Sequence, residues 1–159
     1  MERPRHRCKG FSLLELTAVI VVLGALFALA VPRLDGGRGV RELGFSQQIL
    51  SDLRIAQRRA QADRCEVRVT ISGGGFQVDQ RAALCSGPFT RSVAGAGDAS
   101  STLGGSAPAG MPLSALPAVF YFDSSGAALD SPAGAPADVS ITAGQRQIQI
   151  VGTTGYVSF

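Results

Sequence analysis

The spacing of hydrophobic and polar positions changes several times along the chain. Residues 11–31, "FSLLELTAVIVVLGALFALAV", form 21 consecutive positions with one charged side chain, Glu15. A run apolar on every side predicts a helix able to cross a hydrocarbon core, which takes about 20 residues. Pro32 and the glycines of "DGGRG" (35–39) then interrupt it. Proline removes a helical hydrogen bond and glycine adds backbone freedom. A kink or locally unwound stretch, or a plain linker, is therefore expected over 32–39. From 40 to 64 helical spacing returns. Leu43, Leu50, Leu53, Ala56 and Ala60 recur on one face, widened by Phe45 and Ile49. Arg41, Glu42, Asp52, Arg54, Arg58, Arg59 and Arg64 fill the others. This predicts an amphipathic helix with one buried stripe.

Beyond Arg64 the period falls to two. "CEVRVTI" puts Val67, Val69 and Ile71 on one face, and "SGGG" turns the chain back into "FQVDQ". The pattern predicts a β-hairpin over 66–80. Residues 94–117 are rich in Gly, Ala, Ser and Pro with one charge, Asp98, and are expected to form a long surface loop. "AVFYFD" (118–123) is a strand ended by the turn "SSG", and a second Gly/Pro/Ala stretch follows at 131–138. The last 21 residues alternate clearly: "VSIT", "QIQIV" and "YVSF" are separated by "AGQR" and "GTTG". Ile148 and Ile150 alternate with glutamines, so an antiparallel meander with one buried face is expected. The fold class is α+β, with a helical spine on one side of an antiparallel sheet domain at 65–159.

Charge sharpens the picture at the N-terminus. The chain carries 15 Lys+Arg and 12 Asp+Glu, a formal net charge of +3. The first ten residues hold Arg3, Arg5, Arg7 and Lys9 against Glu2, and beyond them acids and bases balance. The basicity therefore bears on targeting, and basic residues before an apolar run place the N-terminus on the cytoplasmic side of an inner membrane. The globular part then lies on the periplasmic side. The leader also holds the only Lys and the only His, leaving Cys65 and Cys85 as an even pair. In an exported chain they read as one disulfide tying the helix exit to the returning strand.

Catalysis needs a convergent set of groups, and past Gly10 there is neither His nor Lys. Two cysteines 20 apart make no zinc quartet, and "GGG" at 73–75 lacks the context of a phosphate loop. No enzyme activity, no metal and no cofactor is expected.

Three readings compete for the apolar segment. It is an uncleaved anchor, a conventional export signal cut after "Ala28-Leu29-Ala30", or a processed assembly helix. The export-signal reading leaves Glu15 unexplained, and the apolar run is longer than such signals usually have. "KGFSLLEL" before an apolar helix resembles the N-terminus of type IV pilins and type II secretion pseudopilins. That resemblance implies a leader at 1–10, cut by a prepilin peptidase between Gly10 and Phe11, and N-methylation of Phe11. It also implies that Glu15 pairs with the N-terminal amine of a neighbouring subunit, and Pro32 falls where many members have a proline. The remainder, by pattern alone, looks most like minor pilins and H-type pseudopilins. The implied role is a structural, low-copy or tip subunit of a pilus or pseudopilus, with other subunits, the peptidase and the inner membrane as partners. A DNA-binding minor pilin of a competence pilus is the alternative, with Arg54, Arg58 and Arg59 as candidate contacts for DNA or a partner.

Overall fold

The structure, a computed structural model, describes residues 13–30, 37–83, 85–95 and 101–159. The chain divides into two compact units, residues 1–38 and 39–159. In the first unit the described element is helix α1, Leu13–Ala30. Helix α2, Gly37–Asp63, starts just before the boundary and supplies the spine of the second unit. Its start is a departure from the sequence-based reading. Gly37, Arg38 and Gly39, expected in the unwound stretch, are helical, so their glycines do not prevent helix when continuous with a long propagating one. Pro32, the expected helix break, lies outside the described residues.

Among the described residues ten strands follow: β1 (Val67–Ser72), β2 (Gly75–Ala83), β3 (Ser86–Ser92), β4 (Gly104–Ser106), β5 (Leu113–Leu116), β6 (Val119–Phe122), β7 (Ala128–Leu129), β8 (Val139–Ala143), β9 (Arg146–Ile150) and β10 (Val157–Ser158). They form two antiparallel sheets. One runs β3-β2-β1-β6-β7 with β4 also on β2, and the other runs β10-β9-β8-β5. The hairpin pairs Ser72 with Gly75 around Gly73 and Gly74, which keeps Val69 opposite Val78. The meander pairs Ile141 with Ile148 and Ile150 with Val157.

Alternation decides what is buried. Val67, Val69, Ile71, Phe76, Val78, Phe120 and Phe122 face inward from the larger sheet, and Val139, Ile141, Ile148, Ile150 and Val157 from the smaller. Both faces share one core with Phe45, Ile49, Leu50, Leu53, Ala56 and Ala60 of α2. Small residues at 56 and 60 let the helix lie close to the sheets. Leu43 is the exception to the expected stripe, at 39% exposed. Cover begins at Phe45, whose ring meets Phe76 edge-on at 5.9 Å, so the same helix face earlier in the chain is left open.

The expected loop at 94–117 contains two strands instead. β4 extends the outer edge of β2 where β3 leaves off, and β5 borders the smaller sheet. Leu103, Met111 and Leu113 carry the segment into the core. Gly104 makes the pairing feasible: at φ +131° its missing side chain leaves room for the Phe76 carbonyl oxygen, which a β-carbon would approach at 2.8 Å.

Candidate assembly helix and basic face

Every described side chain of α1 from Leu13 to Leu26 is exposed, with Leu13 at 80% and Val21 at 70%. Leu and Ala favour helix intrinsically, and with Val and Ile they leave no polar side to face water, the mark of a helix meant for apolar surroundings. Glu15 stands in its first turn, where the positive end of the helix dipole favours an anion. Two positions on, the Thr17 hydroxyl donates to the Leu14 carbonyl at 2.9 Å, so that polar group is satisfied within the helix. Glu15 has no ion-pair partner among the described residues. Gly10 and Phe11, the expected processing site, lie outside them. No helix of the described residues is long and apolar enough to cross a membrane. The 18 residues of α1 rise about 27 Å, and the 21-position span read from the sequence includes positions 11, 12 and 31, outside the described set.

The arginines singled out on α2 have separate employments. Arg54 donates to the Val157 carbonyl at 3.1 Å, covering the outer edge of β10. Arg58 donates through Nε to the Arg54 carbonyl at 3.3 Å. Arg59 meets Asp63 at 3.7 Å, an exposed pair one helical turn apart. They share a helix, but Arg59 alone is neutralised.

The same helix holds the surrounding loops through their main chain. Gln57 donates to the carbonyls of Gly126 and Thr154, each at 2.9 Å, and Gln61 to Ser125 at 2.8 Å. Gln48 donates to the Gly104 carbonyl at 3.3 Å, while the Gly104 N–H donates to Asp52 at 3.4 Å. Burial pushes the Asp52 carboxyl above its ordinary range, and the hydrogen bonds from Gly104 and Gln48 offset this only in part. Asp123 goes the other way. Burial acts to raise it, but donors from the Ser125 hydroxyl and the N–H groups of Ala127, Ser125 and Gly126 outweigh that and hold it low.

Cys65 and Cys85 are joined by a disulfide, with their Cα atoms 4.9 Å apart. It fastens the end of α2 to the connection between β2 and β3. A further cluster escaped the sequence reading. On the outer face of the larger sheet Arg68 pairs with Asp79 at 2.8 Å and Arg81 with Glu66 at 2.6 Å. Both guanidinium groups lie over the Phe89 ring, at 5.3 and 4.5 Å from its centre. The signal was the outward phase of Arg68 and Asp79 on paired strands, readable only once the register is known. Among the described residues no group of three His, Cys, Asp or Glu could hold a metal ion.

Residues 5–31 match the prokaryotic N-terminal methylation motif. The backbone is similar to the crystal structure of the type IV minor pilin FimU of Pseudomonas aeruginosa, with a TM-score of 0.52 over 78% of this chain and 90% of that one. The chain has a pilin-like fold. At 14% identity the likeness to FimU is one of fold: a helical spine on antiparallel sheet. Over 80 residues this pilin-like chain is 35% identical to the type II secretion system protein H of Aeromonas hydrophila. That match takes in 50% of this chain and 44% of the relative, so the chain spans less than half of that relative's length. The sequence resemblance thus runs to the methylation motif and to a type II secretion system protein H, and the structural resemblance to the fold of a pilin.

Proposed function

We propose that this pilin-like chain is a structural, non-catalytic subunit of a type IV pilus or type II secretion pseudopilus, of the minor, low-copy or tip kind. The observation that carries the reading is α1: a helix exposed and apolar on all sides, with a single carboxylate in its first turn. Such a surface needs lipid, or the helices of other subunits, around it. An ionised acid deep in lipid costs roughly 2.5 to 3.5 kcal/mol, so it persists where a cation meets it. Cleavage between Gly10 and Phe11 creates that cation four positions away, the amine of Phe11, which is then methylated. Glu15 of one subunit and the Phe11 amine of the next can then pair in succession along a filament. Before assembly the subunit sits in the inner membrane with its leader cytoplasmic and residues 39–159 periplasmic.

The mass and N-terminal sequence of the mature chain test the processing step. N-methyl-Phe11 is the expected terminus; Val31 would assign the segment to a conventional signal, and Met1 to an uncleaved anchor. Glu15→Ala tests assembly: the variant should be processed normally yet lose co-purification with filament subunits. Normal incorporation would remove the ion pair from the account.

A further inference from the structure

A groove of about 570 Å³ runs between α2 and β10, lined among others by Leu50, Arg54, Arg58, Tyr156 and Val157. Its floor is apolar, Leu50 and Val157, and both are buried. Its rim carries two guanidinium groups and a tyrosine 61% exposed. No carboxylate lines it, and neither Arg54 nor Arg58 has an ion-pair partner among the described residues. Arg58 is anchored through Nε to the helix backbone, which leaves its terminal N–H groups for a ligand. Arg54 is likewise held in place by the Val157 carbonyl. Each guanidinium is a fork of N–H donors that suits carboxylate, and a half-free tyrosine lining the same groove supplies rigid contact area.

We infer that this groove docks a carboxylate-bearing segment of a partner protein. An Asp or Glu side chain meets Arg54 and Arg58, and a neighbouring apolar residue of the same segment rests against Tyr156 and the Leu50–Val157 floor. Nucleic acid fits less well. It rewards a row of cations along a backbone, and the next arginine on the helix, Arg59, is already neutralised by Asp63. The inference concerns residues 39–159 and holds whether or not the chain enters a filament.

The test uses the full chain in neutral detergent micelles at low salt, with fluorescence anisotropy of a labelled peptide of alternating Glu, Ser and Leu. The controls are the same peptide with Gln for Glu and a single-stranded oligonucleotide of equal charge. The Glu peptide should bind, the Gln peptide should bind at least about tenfold more weakly, and Arg58→Gln should weaken the Glu peptide about five- to tenfold. Tyr156→Ser should weaken it as well, while Arg59→Gln leaves it unchanged. Both groove variants alter exposed side chains, and unchanged circular dichroism separates lost binding from lost fold. Equal binding of the oligonucleotide, or indifference to Arg58→Gln, overturns the inference. So does self-association of the chain that Arg58→Gln abolishes, which would give the groove to a second copy.

Discussion

At Gly155 the chain turns with φ +62°, and a β-carbon there would overlap the Gly126 carbonyl oxygen and crowd Gln57. Gly155→Ala therefore combines backbone strain with the loss of a loop-to-helix contact. Urea unfolding should show a loss of about 2 to 4 kcal/mol. Gly73→Ala, where an added carbon meets nothing, should stay within about 1 kcal/mol. The two shifted carboxyls give a pH prediction. With its folded value raised above 3.8, Asp52 holds a proton that the unfolded chain has released, so its contribution falls as pH rises through the window above 3.8. Asp123, held low, stabilises the fold above 3.8, and that contribution is lost as pH falls through its depressed folded value. Unfolding across acid pH should show Asp52→Asn removing the first slope, since the amide oxygen still accepts the Gly104 N–H, and Asp123→Asn removing the second. Glu15, Cys65 and Cys85 stood out in the sequence because each is chemically unusual in its surroundings. Leu43 misled, because periodicity marks a face of the helix and says nothing of where the sheet beneath it ends.

Among the elements, the long periodic ones were legible: the stripe of α2, the hairpin and the terminal meander each repeat a period over enough residues to be read. β4 and β5 were not. β4 pairs through the main chain of Gly104, Gly105 and Ser106 and β5 through that of Leu113–Leu116, and in a Gly/Ser/Pro-rich segment a loop and a short edge strand look the same. That the strands divide into two sheets was equally hidden, since partner choice among non-adjacent strands depends on tertiary packing. The disulfide acts at this scale too, joining the end of α2 to the β2–β3 connection across a separation of 20 residues. Replacing both cysteines by serine should lower stability by about 3 kcal/mol in the chain-entropy model. Hydrogen exchange should show the loss concentrated in β3 and the last turn of α2.

For the whole molecule, every core residue among those described belongs to the unit that begins at Gly39, while the described side chains of α1 are exposed and mostly apolar. A chain starting at Gly39 with its disulfide formed should thus unfold in one cooperative transition, with a midpoint close to that of the full protein in detergent. A midpoint lowered by more than about 5 °C would mean that residues 1–38 stabilise the globular unit. The sequence announced the apolar helix α1 through a dense local pattern, but the groove beside Tyr156 needed the fold to bring residues 47–58 against 156–157. The way α2 grips its surroundings has one more consequence. Gln48, Asp52, Arg54, Gln57 and Gln61 all reach main-chain atoms of the loops and strands they hold: carbonyls that every residue type supplies and, for Asp52, an N–H that only proline lacks. Apart from the glycines whose shape is required, the loops are thus free to drift in sequence or accept grafted segments without releasing the helix, so a lineage could redecorate this surface while keeping its scaffold.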